Sequence, residues 1–337
     1  RQRLLILGGT GFIGPHVVEA ALAGGHEVTI FNRGRTNTHL FPEAKRLVGD
    51  RDSGLDALKT GEWDVVIDNS GYVPRHVRDS AELLKDRVGR YLFTSTVAVY
   101  DFSKPTFPYG VGSPLAPLTE PGSEDPGKHY GPLKVLCEAA VNEIYGERAT
   151  IIRPTYVCGP GDRTQRYTWW VDRVHRGGDI LAPGDPLSGL GLVDVRDLAH
   201  FTIHLAEQGT PGIFNAAGPE GVLSFSGMLE SIRAITTAPV QFHWVPASFL
   251  DGRLTGREMP LWNQRAEGYH GQLFENASSV AAGLSFKPLA TMARDTRDWH
   301  QRLPQDQQAF TRAGLAPAKE QDILAAWRKH AASSGKS

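Results

Sequence analysis

The sequence is poor in cysteine and in long apolar runs, and its charges nearly cancel. Cys137 and Cys158 are the only two cysteines, and their spacing matches neither a disulfide framework nor a structural zinc site. Charged residues interrupt every hydrophobic stretch before it reaches the roughly 18 residues of a membrane-spanning helix. Lys and Arg total 36 against 37 Asp and Glu, a formal charge of -1. This balance argues against a polyanion or an anionic membrane as the main partner.

Length and glycine content are the first positive signals. At roughly 150 residues per domain, the 337 residues correspond to about two domains and can bury a large core without covalent crosslinks. The 37 glycines make up about 11% of the chain, against about 7% in average proteins. This excess indicates turns or close backbone approaches that require a residue without Cβ.

Short apolar strands alternate with helical segments through the first half of the chain. The predicted strands cover residues 3–7, 27–31, 45–48, 64–68, 90–94 and 149–152. The predicted helices between them include residues 12–23, 74–84 and 131–145. Apolar strands that alternate with helices form a parallel sheet covered on both faces. We therefore predict a doubly wound α/β domain over residues 1–157.

The regular alternation weakens in the second half. Residues 158–317 are predicted to form mainly a smaller, interleaved C-terminal substrate-binding domain, from which residues 190–217 return to the parallel sheet. A C-terminal helix and tail, residues 318–337, follow. The amphipathic part of that helix either caps the protein or contacts a second subunit, and the sequence does not distinguish the two.

A glycine cluster follows the first strand and opens the first helix. Its residues are Gly8, Gly9, Thr10, Gly11, Phe12, Ile13 and Gly14. Glycine lets the chain turn sharply, lets the backbone approach a pyrophosphate and lets the helix pack on the strand, while the helix N-terminus faces the negative charge. The cluster therefore predicts the phosphate-binding turn of a dinucleotide site.

Residues at the ends of the later strands are the expected contacts of the rest of that cofactor. Asn32 and Arg33 end the second strand, where NAD-binding proteins usually carry Asp or Glu. An arginine there accommodates a 2′-phosphate, so we expect NADP in preference to NAD, although Asn32 can also bond a ribose hydroxyl. Further expected cofactor contacts, from the ends of the third to sixth strands, are Asp50, Arg51, Asn69, Ser70, Thr94 and Pro154.

Tyr130 and Lys134 stand four residues apart, on one face of a predicted helix. A phenol with an ordinary pKa of about 10 is a poor base at neutral pH, but a fixed ammonium group and a positive nicotinamide ring favour the phenolate. Ser95 and Thr96, after the fifth strand, supply hydroxyls beside the tyrosine. The Tyr-x-x-x-Lys spacing alone is weak evidence, because many helices contain it by chance.

Three segments in this order carry a family resemblance: GGTGFIG at 8–14, TSTVAVY at 94–100 and YGPLK at 130–134. They resemble the extended short-chain dehydrogenase/reductase family, the NAD(P)-dependent epimerases and dehydratases, over about residues 3–300. The resemblance implies a Rossmann-type fold, with Thr96 as the catalytic hydroxyl, Tyr130 as the acid/base and Lys134 as its electrostatic partner. It also implies hydride transfer at a hydroxyl or keto group of a sugar or sugar-like substrate.

This sequence departs from the family pattern at the substrate. Nucleotide-sugar members usually carry an arginine that grips the diphosphate where this chain has Leu190, so we expect a less anionic substrate. Arg265 is a candidate for a second phosphate-binding position of the family, and Tyr72 and Ser95 are candidate substrate contacts. The sequence also resembles a subgroup near the chloroplast stem-loop RNA-binding proteins, which have lost the active-site tyrosine that this chain keeps.

Two other function classes stay open. One is an RNA-binding protein on the same fold, which the near-zero charge and the lack of a Lys/Arg block disfavour. The other is a catalytically silent NAD(P)-sensing regulator, which has no need of the three catalytic residues. We expect a small-molecule substrate and a homodimer, expect neither membrane nor nucleic-acid partners, and assign no metal. Because residue 1 is Arg, we expect either a cytoplasmic protein or one exported folded, with bound cofactor, after removal of a leader.

Overall fold

The computed structural model describes residues 1–335, which form two compact units that alternate along the chain. The first unit comprises Arg1–Thr155, Val195–Glu220 and Phe274–Phe286, and the second comprises the stretches between and after them. Residues 336 and 337, the end of the predicted tail, lie outside the described residues.

Strands and helices are numbered in chain order. The strands are β1 Arg3–Leu7, β2 Glu27–Asn32, β3 Lys45–Val48, β4 Trp63–Asp68, β5 Val88–Thr94, β6 Ala149–Pro154, β7 Tyr156–Cys158, β8 Gly178–Pro183, β9 Leu192–Asp194, β10 Gly212–Ala216 and β11 Val240–Val245. The helices are α1 Ile13–Ala23, α2 Pro74–Leu84, α3 Pro126–Tyr145, α4 Arg166–Arg176, α5 Val195–Gln208, α6 Phe225–Arg233, α7 Ala247–Leu250, α8 Ala277–Ala281, α9 Leu289–Arg302 and α10 Pro317–Ser334.

The first unit is organised around a parallel sheet in the order β10-β6-β5-β4-β1-β2-β3. The inner strands are apolar and buried at their centres, as in Leu4 to Leu7 of β1, because helices cover both faces of such a sheet. The edge strand β3 has no buried residue. The order reverses next to β1, and ligands bind outside the carboxyl ends of strands at such a reversal. This topology confirms the predicted doubly wound, Rossmann-type fold.

The register of the sheet places the predicted site residues at one edge. Leu7, the last residue of β1, pairs with Phe31 of β2 and with Asp68 of β4. The carboxyl ends of these three strands therefore lie level, and the residues that follow each strand meet at the same edge of the sheet.

The second unit has a core of its own and two small parallel sheets, β8 with β11 and β7 with β9. Its apolar core includes the fully buried Trp170, Tyr167 and Met228, with contacts of helix α4 to α6 and α9. Strands β7, β8, β9 and β11 are absent from the sequence prediction, because the regular alternation of strands and helices is lost in this part of the chain.

The boundaries of the units differ in part from the expected ones. The segment expected to return to the sheet at residues 190–217 corresponds to Val195–Glu220, and a further segment, Phe274–Phe286, also belongs to the first unit. This second return has only the five-residue helix α8, which is too short to show helical periodicity in the sequence. Helix α10, expected as a separate C-terminal element, belongs to the second unit.

Candidate active site

The glycine cluster between β1 and α1 is a turn in which the glycines have different roles. Gly8 has φ +81°, and a Cβ on Gly14 would lie only 2.0 Å from the carbonyl oxygen of Gly8. A Cβ on Gly9 would lie 2.7 Å from Cγ2 of Ile30. These three positions need glycine so that the turn can form and the helix can approach the strand.

Gly11 is different because its side-chain position faces open space. Within residues 1–335, no atom lies within 4 Å of a Cβ built on Gly11, and this residue lines a cavity of about 370 Å³. Helix α1 begins two residues later, and its N-cap residue, Phe12, makes no side-chain capping hydrogen bond. The N–H groups of its first turn are therefore available to a phosphate.

Many of the residues predicted to bind the cofactor line this cavity. Predicted residues in its lining are Gly8, Thr10, Gly11, Asn32, Arg33, Asp50, Arg51, Ser70 and Tyr72. Other lining residues are Phe31, Gly34, Arg35, Thr36, Gly49 and His76. His76 was not predicted from the sequence, because it lies in the first turn of α2 and does not follow a strand. Tyr72, expected to contact substrate, lines this same cavity.

Asn32 and Asp50 shape the cavity through local hydrogen bonds. The Nδ2 of Asn32 donates to Oγ1 of Thr10 (3.0 Å), and its Oδ1 accepts from the N–H of Gly34 (2.9 Å). The amide thus ties the end of β2 to the glycine turn. The carboxylate of Asp50 accepts from the N–H of Asp52 (2.8 Å) and stabilises the turn after β3.

Arg51 lines the cavity, but its guanidinium is bound within the protein. It donates to Asp68 Oδ1 (2.5 Å) and to Ser80 Oγ (2.7 Å). Burial raises the pKa of Asp68, but the charge of Arg51 outweighs it and holds that pKa below its ordinary value. The buried carboxylate of Asp68 therefore neutralises the charge of Arg51, and the expected contact of Arg51 with the cofactor stays a prediction.

A buried hydrogen-bond donor near the ends of β4 and β5 has no partner within residues 1–335. Thr94 Oγ1 donates to Oδ1 of Asn69 (2.8 Å), which fixes the orientation of the amide. The Nδ2 of Asn69 is buried and has no partner in the described part of the chain. A buried donor without a partner is costly, so the residues present fit a bound ligand with an acceptor at this position, as a dinucleotide has.

Lys134 is almost fully buried beside these strand ends. Its Nζ donates to the carbonyl oxygens of Gly71 and Thr94, each at 2.8 Å, and lies 5.2 Å from the ring centre of Tyr72. Burial lowers the pKa of Lys134 to about 8, against the opposing charges that include Asp68. Two carbonyls thus hold the ammonium group in place, and its proton is lost more readily than that of an exposed lysine.

Tyr130 begins the regular part of α3. His129 has non-helical backbone angles (φ -129°, ψ 38°), so a first turn capped by Asp125 ends there and a second helical run starts at Tyr130. Pro132 is tolerated because it lies in the first turn of that run. Tyr130 is 42% exposed and lies at the start of this second helical run, where the positive end of the helix dipole is found.

Thr96 is presented by the segment after β5. Its Oγ1 accepts from the N–H of Ala98 (3.0 Å) at the start of a short 3-10 turn, and the hydroxyl keeps its own hydrogen for another acceptor. Helix α3 packs directly on this turn, since a Cβ on Gly131 would lie 2.1 Å from the carbonyl oxygen of Ala98. Thr96, Tyr130 and Lys134 thus lie on elements in direct contact.

Ser95, expected to contact substrate, has another role. It is 3% exposed, and its hydroxyl donates to Oε2 of Glu138 (2.5 Å). The hydroxyl therefore belongs to a buried cluster inside the first unit, which corrects the expectation from the sequence. Glu138 was not predicted as a functional residue, because it belongs to no sequence motif.

Four remaining candidates lie outside the residues that line the cavity. Phe12 and Ile13 form the start of α1, and Pro154 ends the buried strand β6. Arg265 is an exposed residue of a 3-10 turn, Gln264–Ala266, in the second unit.

A second cavity, of about 330 Å³, lies beside α5. His200 and His204 line it four residues apart, together with Asp197 and Glu207. This is a His-x-x-x-His spacing, so the interpretation that the histidines show no such arrangement is wrong. Among the residues described, however, no group of three or more His, Cys, Asp or Glu side chains is arranged to hold a metal ion.

The fold and the glycine turn define a protein of the dinucleotide-binding class. The sequence model of the NAD dependent epimerase/dehydratase family matches residues 4–217, and the chain belongs to that family. Of the helices within residues 1–335, none has both the length and the apolar composition of a membrane span.

Named relatives are distant. The chloroplast stem-loop binding protein of 41 kDa b of Arabidopsis thaliana is 27% identical over 254 residues, 68% of this chain and 62% of that protein. The UDP-glucose 4-epimerase of Azospirillum brasilense is 25% identical and matches 90% of this chain and 93% of its own. The crystal structure of UDP-N-acetylglucosamine 4-epimerase from Bacillus cereus superposes with a TM-score of 0.67 at 14% identity, covering 90% of this chain and 98% of that one. This likeness shows the fold.

Proposed function

We propose that this protein is an NAD(P)-dependent epimerase or reductase that acts on a hydroxyl or keto group of a sugar or sugar-like substrate. The observation that carries the proposal is the placement of Tyr130, Lys134 and Thr96. Lys134 is buried and held by two carbonyls, Tyr130 is exposed at the start of the same helix, and Thr96 lies on the segment packed against it. Family membership supports the same chemistry.

Each of the three residues has one role in the proposed reaction. Tyr130, as phenolate, takes the proton of the substrate hydroxyl, and Thr96 donates a hydrogen bond to the same oxygen. Lys134 stabilises the phenolate by its charge. A nicotinamide cofactor, when bound, would supply the acceptor for the hydride of the carbinol carbon, and the substrate hydroxyl would become a ketone. The residues that would hold the cofactor line the cavity beside Gly11, and Asn69 supplies the buried donor.

Two observations bear on the substrate class, and they favour different substrates. Two of the curated relatives are named UDP-glucose 4-epimerase and one UDP-N-acetyl-alpha-D-glucosaminuronate decarboxylase. Leu190, where nucleotide-sugar members usually have an arginine, is 4% exposed and buried in an apolar core. We therefore propose a sugar less anionic than a nucleotide sugar, with UDP-sugars as the alternative that a substrate panel must include.

The cofactor is proposed to be NADP in preference to NAD. Arg33 and Arg35 line the cavity, and the end of β2 carries no carboxylate to accept from an adenosine ribose. The family is NAD dependent by description, so both cofactors belong in the test. Mass spectrometry of the cofactor released from purified protein distinguishes them, and a retained cofactor favours an epimerase, whose redox cycle closes on itself.

A second function is kept because of one relative. The Arabidopsis protein is named for stem-loop binding, and RNA binding by this chain is the alternative. Affinity for a stem-loop RNA that persists at moderate salt would favour it.

The substitution Tyr130→Phe tests the proposed function. We expect loss of turnover of at least about a hundredfold with cofactor affinity unchanged, because the phenol oxygen is the proton acceptor. The control is Tyr145→Phe, on the same helix, whose hydroxyl donates to the carbonyl of Ala81 (3.1 Å). Turnover is measured by NMR on a panel of UDP-sugars and free sugars. Activity of the Tyr130 variant within a few-fold of the parent would contradict the mechanism.

A further inference from the structure

A buried ion pair lies one helical turn beyond Lys134 on α3. Glu138 is 3% exposed and Arg153, on β6, is 1% exposed. Arg153 Nη2 donates to Oε1 of Glu138 (2.6 Å), and its Nε donates to Oε2 (3.0 Å). The bidentate geometry offsets much of the cost of burying both charges.

The same carboxylate holds the strand that leads to Thr96. Oε2 of Glu138 accepts from the hydroxyl of Ser95 at 2.5 Å, while Lys134 donates to the carbonyl of the preceding Thr94 at 2.8 Å. Helix α3 is therefore fastened to two consecutive residues at the end of β5, by side chains one turn apart. The next residue along the chain is Thr96.

The ion pair is itself anchored on its other side. Arg153 Nη1 donates to the hydroxyl of Tyr100 (3.2 Å) and to the carbonyl of Val111 (3.2 Å), and Tyr100 donates to Oδ1 of Asn215 on β10 (2.5 Å). The cluster thus connects α3 to β5, β6 and β10 by hydrogen bonds in the interior. Its position has little freedom, because its partners lie on helix α3, on strands β6 and β10 and on the segments that follow β5.

We propose that Ser95 and Glu138 are positioning residues, which hold Thr96 and the Lys134 ammonium group in the arrangement that Tyr130 needs. This inference rests on the proposed function. Neither side chain touches the cavity beside Gly11, so the effect passes through the backbone of residues 94–96 and through helix α3. A displacement of about 1 Å in such a site lowers the rate by about a hundredfold.

Charges around Lys134 support the assignment. On its own helix it has Cys137 and Glu138, from β4 it has Asp68, and from the loop after β3 it has Arg51. The two carboxylates favour the ammonium form, whereas burial and Arg51 oppose it. Glu138 therefore affects Tyr130 in two ways. It fixes the residues at the end of β5, and it favours the charged form of Lys134.

The test is the ionisation of Tyr130 in the protein saturated with NAD or NADP, whichever binds more tightly. The protein is labelled with [13Cζ]tyrosine, and the Tyr130 signal is assigned with Tyr130→Phe. Ser95→Ala removes the fastening to Glu138 and leaves the Arg153 ion pair intact. We expect ionisation to move to higher pH by about half a unit or more, because Lys134 is less well aligned. With the sugar that the panel identifies, kcat falls about tenfold or more while KM stays within a few-fold.

Thr202→Val is the matched control. Thr202 is as buried as Ser95, and its hydroxyl donates to the carbonyl of Leu198 within α5 (2.8 Å). The Thr202→Val variant loses one buried hydrogen bond that lies within α5 and does not involve α3. Its melting temperature should therefore fall about as far as that of Ser95→Ala, while the ionisation of Tyr130 and kcat stay unchanged. Equal behaviour of the two variants would overturn the inference.

The two proposals fail in different ways. If Tyr130 in the parent protein ionises like free tyrosine and Tyr130→Phe is active, the proposed function is wrong. If Tyr130 is essential and Ser95→Ala leaves both its ionisation and kcat unchanged, only the positioning role is wrong. The double variant Glu138→Gln with Arg153→Met keeps the interior free of an unpaired charge, and it should shift the ionisation of Tyr130 at least as far as Ser95→Ala does.

Discussion

Two glycines of the same turn illustrate how one residue type serves two purposes. A methyl group on Gly14 would lie 2.0 Å from a backbone oxygen, whereas a methyl group on Gly11 would meet no atom of residues 1–335 within 4 Å. Gly14 is therefore required by the fold, and Gly11 by whatever enters the cavity that it lines.

This difference predicts opposite effects for one added methyl group. Gly11→Ala should leave the melting temperature unchanged and weaken NAD or NADP binding by about tenfold or more, about 1.4 kcal/mol, because the Cβ occupies the space of the phosphate. Gly14→Ala should lower the melting temperature by forcing α1 away from β1. Calorimetric binding and thermal unfolding of both variants check the pair. A Gly11 variant that binds cofactor like the parent would show that the phosphate lies elsewhere.

The arginines after β2 predict the choice of cofactor. Arg33 and Arg35 line the cavity, and a hydrogen bond to a charged group contributes about 1.5 to 3 kcal/mol. Arg33→Ala should therefore weaken NADP binding about tenfold or more and leave NAD binding nearly unchanged. Arg78→Ala, on α2 and paired with Glu143 (3.0 Å), is the control. Equal losses for NAD and NADP would favour stacking on adenine instead.

At the scale of elements, α3 depends on one close approach. The helix reaches the turn after β5 only because Gly131 has no Cβ, which would lie 2.1 Å from the carbonyl oxygen of Ala98. The same approach brings the start of the helix, with Tyr130, to the segment that carries Thr96.

Gly131→Ala should therefore reduce both stability and turnover. The added methyl group pushes α3 away from the turn, at a cost of about 1 to 3 kcal/mol, and the catalytic groups lose their alignment. Gly112→Ala, where a Cβ would meet no described atom within 4 Å, should change neither quantity. Urea unfolding and the turnover assay measure the two effects, and a fully active Gly131 variant would contradict this account of the site.

Most elements of the first unit were predictable, because apolar strands and periodic helices show a pattern in the sequence, whereas the five-residue helix α8 shows none. Strands β1 and β3 and helix α2 have the predicted bounds. The glycine turn was also predictable, because its residues are contiguous in the sequence. The roles of Ser95 and Arg51 were not, because their partners, Glu138 and Asp68, lie 43 and 17 residues away. No local pattern records which hydroxyl or guanidinium a distant carboxylate will bind.

At the scale of the whole molecule, the C-terminal helix belongs to the core of the second unit. Glu320 of α10 accepts from Nε of Arg173 (2.9 Å) and from the N–H of Leu181 (3.2 Å), and both charged side chains are buried. Glu320 of helix α10 therefore neutralises the positive charge of Arg173, which is buried in the second unit.

Glu320→Gln should destabilise the protein strongly. Loss of one partner leaves the buried charge of Arg173 uncompensated, at a cost of about 3 to 5 kcal/mol. The control is Glu258→Gln, whose partner Lys319 lies on the same helix at 2.7 Å but is 41% exposed, and an exposed pair contributes at most about 1 kcal/mol. Chemical unfolding compares the two, and equal midpoints would show that the Arg173 charge is solvated in another way.

The alternation of the two units along the chain also bears on how the protein is made. Strand β6 leaves the ribosome before residues 156–194, and its partner β10 leaves only after them. At usual rates of synthesis the interval is on the order of several seconds. During that interval the nascent sheet ends in an uncovered strand, which is a template for pairing with other chains. The interleaved order therefore leaves β6 as an edge strand of the sheet until β10 has been made.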